Sequence, residues 1–362
     1  MRILQMISKN DRYGAQRIFL DQVAALRGRG HDVFVIARGN EGYVADSVRD
    51  MGAPYQGIAM KGLRDLLLLR RFVRELRIDV IHSTLDRADH LGRIAGWLTG
   101  TIAVSTMMVP RVHPGFRFMD RIAVLSRNQE GLLFRKGIAR DKVALIRPGI
   151  DTRRFSLPDG EKRESWRRKL SADRFTIVFC HISSMLERKA HRVSLEITAA
   201  CKAGGEIPLL IVIGDPVHGD YYESLIQQCR RDGIADNVVF TGWTADVPEL
   251  LSLSHFTVLP SENEALGVVL MEGMAAGTPI IARVGEGGAE LVTDYGTGLL
   301  YDPAEGVQAL AERIVTLKRD AARFEALSAS CRKIALEEFS MDRFGERLES
   351  FYDMTLRAKK GK

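Results

Sequence analysis

Two glutamates, Glu264 and Glu272, are the residues of this chain best suited to chemistry. Glu272 lies inside the apolar run Val268–Ala276, so part of its surroundings should be dry. A buried carboxylate without a partner is strongly unfavourable, so Glu272 needs a group that donates hydrogen bonds to it. A ligand rich in hydroxyl groups is one such partner, and an arginine such as Arg283 is another.

The secondary structure predicted around the two glutamates indicates where they lie. Phe256–Leu259 has the composition of a short buried strand. Glu264 then falls in the loop beyond the carboxyl end of that strand, where ligands of open α/β sheets bind. A helix is predicted to begin at Gly267 and Val268, whose free amides and positive dipole suit an anion. Glu272 follows roughly 7–8 Å further along the helix axis at ~1.5 Å per residue. This order of groups suits a nucleotide sugar, which carries sugar hydroxyls, a diphosphate and ribose hydroxyls.

The pattern resembles the Glu-x7-Glu signature of retaining glycosyltransferases of family 4, and Gly277–Pro279 follows it as in that family. The resemblance implies an α/β protein of GT-B architecture, with two Rossmann-like, doubly wound domains facing a cleft. It also implies that Glu264 contacts the donor sugar and Glu272 the ribose. The other elements that match, in the family's order, are Gly14–Gln16, Gly30–Val33, Asp79–His82, Arg147–Phe155, Gly214–Asp215, Val239–Trp243 and Gly285–Glu290.

The resemblance extends to the groups that hold the donor. Lys189 follows a predicted strand and matches the family's phosphate-binding lysine, so we predict that Lys189 and Glu264 are the catalytic residues. The family usually has an arginine about five residues earlier, but Ser183 and Ser184 stand there. Arg188 is a candidate substitute, a weaker hold on the diphosphate is the alternative, and a solvated charged loop is a third interpretation. The predicted donor-binding residues are Glu272, Gly267, Val268, Arg188, Ser184, Gly14, Gly214 and Trp243.

Two histidines are candidates for the acceptor side. The family commonly has a histidine after the strand near residue 106, where this chain has Met107 and Met108. His82 fits the family's Asp-x-x-His element and His113 lies beyond the methionines, although a structural role for His82 is equally open. The family has no clear protein nucleophile, and the leaving phosphate is pictured as helping to deprotonate the acceptor hydroxyl. Gly14 would let the backbone approach a phosphate or the acceptor, or would only form a turn.

Composition limits the class of protein. The chain has 362 residues, of which 46% are hydrophobic and 27% charged, as expected for two globular domains. No apolar run approaches the roughly 20 residues of a membrane span, and no secretory signal is apparent. The four cysteines are scattered and the eight histidines form no ligand motif, so we expect reduced thiols and no metal. A net charge of +6 suits an anionic partner.

Strand and helix patterns alternate along the chain, which predicts parallel, doubly wound sheets. The predicted strands are Arg2–Ile7, Asp32–Ala37, Asp79–His82, Ile102–Thr106, Arg121–Leu125, Val143–Ile146, Thr176–Cys180, Leu209–Ile213, Val238–Thr241, Phe256–Leu259 and Pro279–Ala282. We predict an acceptor-side domain over 1–155, a turn-rich, charged linker over 156–172, and a nucleotide-sugar domain over 173–338. A helix in 339–362 is expected to pack back on the first domain.

The segment Lys61–Arg77 is basic and amphipathic. Its apolar face is predicted to consist of Leu66, Leu69, Val73 and Leu76. Such a helix could rest on an anionic membrane, where each basic residue contributes on the order of 1 kcal/mol. In the alternative, the apolar face packs on the sheet of the first domain and only the charges face water.

We therefore predict a metal-independent, retaining glycosyltransferase that moves a sugar from a UDP- or GDP-linked donor to a hydroxyl of a glycan or glycolipid. The expected setting is bacterial surface-polysaccharide or lipopolysaccharide synthesis, in the cytoplasm or at the inner face of the cytoplasmic membrane. The alternatives are a nucleotide-sugar epimerase of GT-B fold and a non-catalytic sugar-binding protein. A dehydrogenase is disfavoured because no G-x-G-x-x-G follows the first strand, and no nucleic-acid module is recognisable.

Overall fold

The computed structural model describes residues 1–360 of the chain. These residues divide into two compact units. The first unit consists of Met1–Ile150 and the chain from Ser340 onward, and the second consists of Asp151–Phe339.

The first unit contains a seven-stranded parallel sheet with the strand order β3-β2-β1-β4-β5-β6-β7. The chain reverses its direction of winding between β1 and β4, as in other doubly wound folds. The strands are β1 (Arg2–Ile7), β2 (Asp32–Arg38), β3 (Tyr55–Ile58), β4 (Val80–Thr84), β5 (Ile102–Met107), β6 (Arg121–Val124) and β7 (Val143–Leu145). The helices are α1 (Gly14–Gly28), α2 (Tyr43–Asp50), α3 (Gly62–Glu75), α4 (Asp86–Thr99) and α5 (Arg127–Arg135), with a short 3-10 helix at Pro114–Phe118.

The second unit contains a six-stranded parallel sheet with the order β10-β9-β8-β11-β12-β13. Here the winding reverses between β8 and β11. The strands are β8 (Ile177–Ile182), β9 (Pro208–Ile213), β10 (Val238–Gly242), β11 (Phe256–Leu259), β12 (Ile280–Arg283) and β13 (Gly298–Tyr301). The helices are α6 (Thr152–Ser156), α7 (Gly160–Lys169), α8 (His191–Ala203), α9 (Gly219–Arg231), α10 (Val247–Ser252), α11 (Val268–Ala276), α12 (Ala289–Tyr295), α13 (Gly306–Arg319) and α14 (Ala321–Glu338). The prediction of two doubly wound α/β sheets is confirmed.

The stretch predicted to be a turn-rich linker, 156–172, contains the helix α7, and the short helix α6 lies directly before it. Each begins at an aspartate whose side chain accepts hydrogen bonds from free amides of the first turn, which favours a helix start. Asp151 accepts from the amide of Arg154 at 3.1 Å, and Asp159 accepts from that of Glu161 at 3.0 Å. The Trp166 indole N–H then donates to Asp246 at 3.0 Å, which ties α7 to the second unit.

The last helix, α15 (Met341–Lys360), belongs to the first unit and packs against α1. One face of α15 is fully buried in the core of this unit, and Phe351 is 0% exposed. At its edge, the Glu349 carboxylate pairs with Arg29 at 2.6 Å and with His31 at 2.8 Å. The buried side chains of this face are Phe344, Leu348, Phe351 and Tyr352.

We expect Phe351→Ala to destabilise the first unit by about 3–5 kcal/mol, because it removes a buried ring and leaves a cavity. Urea unfolding followed by circular dichroism measures the change. Met354→Ala is the matched control on the same helix, since Met354 is 46% exposed; we expect it to change the free energy of unfolding by less than about 0.5 kcal/mol. Equal effects of the two variants would contradict this packing.

Candidate functional site

Lys189 and Glu264 form an ion pair in the second unit. The Lys189 Nζ donates to Glu264 Oε2 at 2.5 Å, and the two side chains are only 15% and 16% exposed. Lys189 lies in the loop after β8, and Glu264 lies in the loop after β11. Because β8 and β11 are adjacent and parallel, their carboxyl ends meet at the point where the winding reverses. The structure thus brings together the two residues that the sequence predicts to be catalytic.

The loop after β12 holds the backbone of Glu264 through two hydrogen bonds. Its amide donates to Glu286 Oε2 at 2.8 Å, and its carbonyl accepts from the amide of Gly287 at 3.1 Å. A Cβ at Gly287 would lie 1.9 Å from the carbonyl oxygen of Ala265, so only glycine allows this approach. The sequence analysis predicts no role for Glu286. The feature that could have indicated one is the Gly-Glu-Gly-Gly run that follows a predicted strand.

A third contact joins the loops of β8 and β11. The amide of Glu262 donates to the carbonyl of Arg188 at 2.7 Å, and the Glu262 carboxylate accepts from Arg283 at 2.7 Å. Arg283, one of the partners considered for Glu272, therefore pairs with Glu262. The side chain of Arg188 is exposed. These contacts hold the loops after three neighbouring strands in one arrangement around Lys189.

The helix α11 starts beside this ion pair. Gly267 precedes its first turn with φ +81°, and a Cβ there would lie 2.8 Å from a methyl carbon of Leu259. Glycine is therefore required where the chain turns from the loop into the helix. Val268 is the first helical residue, and the first amides of a helix have no partner inside it. Glu272 lies one turn further on and is half-buried.

Three other predicted residues lie at the carboxyl ends of β8, β9 and β10. Gly214 has φ +142°, and a Cβ there would lie 2.1 Å from the carbonyl oxygen of Ser183. The amide of Trp243 donates to Asp215 Oδ1 at 2.8 Å, and the indole is 52% exposed. Ser184 is half-buried in the loop after β8. Ser184, Gly214 and Trp243 thus line the same edge of the sheet as Lys189.

A buried pair of histidines lies next to the Lys189 loop. The rings of His181 and His191 stack at 4.1 Å, and both contact the Ser183 hydroxyl, at 3.0 and 3.1 Å. Burial, together with the nearby charge of Lys189, lowers the pKa of His191 to about 4. Burial, the His191 ring and Lys189 lower the pKa of His181 well below its usual value. Both rings are neutral at pH 7, so the positive charge of this cluster resides on Lys189. Sequence reasoning missed this pair.

In the first unit, Gly14 is exposed and begins α1, directly after the loop that follows β1. A Cβ at this position would meet no atom within 4 Å. The fold itself therefore does not require glycine here, which leaves open both interpretations of Gly14.

His82 is fully buried in a network of polar side chains. Its Nδ1 lies 2.7 Å from the Tyr352 hydroxyl, and its Nε2 lies 2.7 Å from the Thr106 hydroxyl. Gln22 donates to the same Thr106 hydroxyl at 2.9 Å. Burial lowers the pKa of His82 to about 3, so the ring is neutral. These contacts favour the structural role for His82. His113 lies apart from this network and pairs with Asp89 at 3.0 Å.

Comparison with known proteins agrees with this geometry. Residues 13–154 match the family described as "Glycosyltransferase Family 4", and residues 162–335 match "Glycosyl transferases group 1". A GDP-mannose-dependent alpha-(1-6)-phosphatidylinositol monomannoside mannosyltransferase from Mycobacterium tuberculosis is 26% identical over 72% of this chain and 67% of that protein. A UDP-Gal:alpha-D-GlcNAc-diphosphoundecaprenol alpha-1,3-galactosyltransferase from Escherichia coli is 22% identical over 94% of this chain and 93% of that protein.

A solved structure shares the fold. The crystal structure of HepE from Anabaena in complex with UDP has a TM-score of 0.86 at 20% identity, over 98% of this chain and 100% of that chain. Two parallel-sheet units with this likeness define an α/β protein of GT-B fold. The chain belongs to the GT-B glycosyltransferases of the family 4 type, and it is an enzyme that transfers hexose.

The buried histidines make stability depend on pH. Burial lowers the pKa of His255, as of His191, to about 4, below the ~6.5 of an unfolded chain. The unfolded chain therefore binds the proton first, and the stability present above pH 6.5 is lost as the pH falls towards 4. Between pH 7.5 and 5.5 we expect each such histidine to lower the free energy of unfolding by about 1 kcal/mol. In urea unfolding, His255→Gln should reduce the change in the free energy of unfolding between these two pH values by the contribution of one histidine. His90→Gln, at an exposed site, should leave that change as it is in the wild type. An unaltered slope in His255→Gln would contradict the assignment.

Proposed function

We propose that this enzyme transfers a hexose, with retention of anomeric configuration, from a UDP- or GDP-linked donor to a hydroxyl of a glycan or glycolipid. The observation that carries the proposal is the Lys189–Glu264 ion pair beside the first turn of α11. Support for the substrates comes from the relatives, whose names specify GDP-mannose or UDP-Gal as donor and a phosphatidylinositol mannoside or a diphosphoundecaprenol-linked sugar as acceptor. Bacterial surface-glycan synthesis remains the proposed setting.

In this proposal the second unit binds the donor. The ammonium of Lys189 leaves Glu264 and pairs with the diphosphate, and the freed Glu264 carboxylate accepts hydrogen bonds from the sugar hydroxyls. The amides of Gly267 and Val268 point at the same diphosphate, since the first amides of a helix suit an anion. Glu272 accepts from the ribose hydroxyls. The remaining donor contacts of the second unit are assigned to Ser184, Arg188, Gly214 and Trp243. In the first unit, Gly14 is assigned to a phosphate of the donor or to the acceptor, and His113 to the acceptor.

The chemistry needed is stabilisation of the departing diphosphate. A preorganised cation and helix amides provide such stabilisation where water is excluded. Because the rings of His181 and His191 are neutral, they do not compete with Lys189 for the negative charge of the diphosphate. We propose that Lys189 and the α11 amides supply the positive charge without a metal ion. Among the residues that the structure describes, no group of three or more His, Cys, Asp or Glu side chains is placed to hold a metal.

We expect Glu264→Ala and Glu272→Ala each to lower transfer by roughly 100-fold or more, because each removes a hydrogen-bond partner of the donor. Transfer from UDP- and GDP-hexoses, in the presence of a chelator, is the measurement, and NMR of the product gives the anomeric configuration. Glu325→Ala, an exposed glutamate on α14, is the matched control. Turnover near that of the wild type in both site variants would contradict the proposal.

The first unit carries the surface proposed to contact an anionic membrane. Leu69 and Val73 of α3 are buried, so the apolar face named above packs inward. The structure adds a second apolar strip on the outer side of α3, which the periodicity of the sequence did not reveal: Leu63 is 68% exposed. No helix in the described part of the chain is long and apolar enough to cross a membrane. The exposed leucines of this strip are Leu63, Leu67 and Leu68, and the exposed arginines beside them are Arg64, Arg71 and Arg74.

Such a helix can lie in the plane of the membrane surface, with leucines among the acyl chains and arginines at the phosphates. We expect the triple change of Leu63, Leu67 and Leu68 to serine to weaken sedimentation with anionic vesicles at least about tenfold, since a buried leucine contributes about 1.5–3 kcal/mol. Leu336→Ser, at an exposed leucine of the second unit, is the control. Binding insensitive to anionic lipid, to salt and to the triple change would contradict the membrane contact.

A further inference from the structure

A buried carboxylate in the first unit lies outside every role assigned above. Asp89, in the first turn of α4, is 2% exposed, and its Oδ1 accepts from the hydroxyls of Ser83 and Ser105, each at 2.7 Å. Ser83 on β4 and Ser105 on β5 are register partners in adjacent parallel strands, so both project from the same face of the sheet towards α4. His113 Nε2 lies 3.0 Å from the other oxygen, Oδ2.

This arrangement fixes the proton on the imidazole. An ionised carboxylate only accepts hydrogen bonds, so the ring nitrogen facing Asp89 must be N–H. The neutral His113 ring therefore carries its proton on Nε2, and Nδ1 keeps its lone pair. An unpaired carboxylate at this depth would be strongly unfavourable, which explains why three donors surround Asp89.

The ring of His113 is also fixed in position. It lies 3.9 Å from the ring of Phe116. A Cβ at position 115 would lie 2.8 Å from Nδ1, so Gly115 leaves the space beside Nδ1 without a side chain of its own. The His113 side chain is 16% exposed, so part of it reaches the surface. The arginines nearby have partners of their own, since Arg111 pairs with Asp86 and Arg93 of α4 lies over the ring of Phe118. A fixed imidazole edge with one lone pair suits a neutral hydrogen-bond donor such as a sugar hydroxyl.

We propose that Asp89 is a positioning residue that holds His113 with its proton on Nε2, so that Nδ1 accepts a hydrogen bond from a hydroxyl of the sugar acceptor. The proposal rests on the proposed glycosyl transfer and adds the acceptor-binding atom and its support. Ser83 and Ser105 hold Asp89, and Asp89 acts only through His113.

Two variants separate this role from a purely structural one. His113→Gln keeps an N–H directed at Asp89, so the buried charge retains its partner, but it has no acceptor at the place of Nδ1. Asp89→Asn keeps the shape and still accepts from the two serines, but its NH2 group turns Nε2 into an acceptor and moves the ring proton to Nδ1. Asp120→Asn is the matched control for loss of a carboxylate in this unit, since Asp120 accepts from the amide of Ala103 at 2.8 Å.

The first measurement needs no sugar. In protein labelled with 15N-histidine, long-range 1H–15N spectra distinguish the protonated from the bare ring nitrogen of His113. We expect Nε2–H in the wild type and in Asp120→Asn, and Nδ1–H in Asp89→Asn. A wild-type ring protonated on Nδ1 would overturn the proposal, whether or not Asp89→Asn folds.

The second measurement is steady-state transfer from UDP-glucose, UDP-galactose and GDP-mannose to octyl glycosides. We expect His113→Gln and Asp89→Asn to raise the KM for the acceptor roughly tenfold, the share of one hydrogen bond, with the KM for the donor unchanged. An unchanged acceptor KM in His113→Gln, or a fall in kcat alone, would overturn the proposal. A wild-type enzyme that releases no nucleotide from any donor would count instead against the proposed function, and the tautomer result would still decide the role of Asp89.

Discussion

The ion pair between Lys189 and Glu264 joins the loops after β8 and β11, and the candidate site of the second unit depends on it. The two residues are 75 positions apart, and they meet only because β8 and β11 lie side by side with the same direction. This cation and this carboxylate are each only about 15% exposed, and they pair with one another. The loop after β12 then fixes the carboxylate through the backbone of Glu264. In the proposed function, this neutral, preorganised pair supplies both of the opposite charges that bind a nucleotide sugar.

Both units place their polar groups by the same rule of topology. In the second unit, the winding reverses between β8 and β11, where Lys189 and Glu264 lie. In the first unit it reverses between β1 and β4, and Gly14 follows β1 while Asp89 follows β4. Crevices at such reversal points are where ligands of doubly wound folds bind. The buried rings of His82, His181 and His191 near these points are neutral, whereas Lys189 and Glu264 pair with each other and Asp89 accepts from Ser83 and Ser105.

Much of the fold was predictable because hydrophobic runs mark buried parallel strands. The predicted strands occur within about two residues of their observed limits. The two strands that were not predicted, Tyr55–Ile58 and Gly298–Tyr301, are short strands at sheet edges, where little apolar sequence is required. The helix Gly160–Lys169 was hidden by its charges, since most of its surface faces water.

The residues of the candidate site also differ in whether the sequence could predict them. Lys189 and Glu264 were predictable because each follows a strand and matches a spacing known in a family. Glu286 and Asp89 were not, because they act through contacts between segments distant in sequence, and such contacts depend on strand order and register. The Ser83–Ser105 pairing exists only once β4 and β5 are aligned. The catalytic roles of Lys189 and Glu264 and the predicted donor-binding roles remain predictions.

If the proposed function is correct, the Lys189–Glu264 ion pair opens when the donor binds. A crystal structure of the enzyme with an intact UDP- or GDP-hexose shows whether it does. We expect Lys189 Nζ to lie on a phosphate oxygen and the Glu264 carboxylate on hydroxyls of the sugar. A bound donor with Lys189 and Glu264 still paired to each other, and the diphosphate held elsewhere, would contradict it.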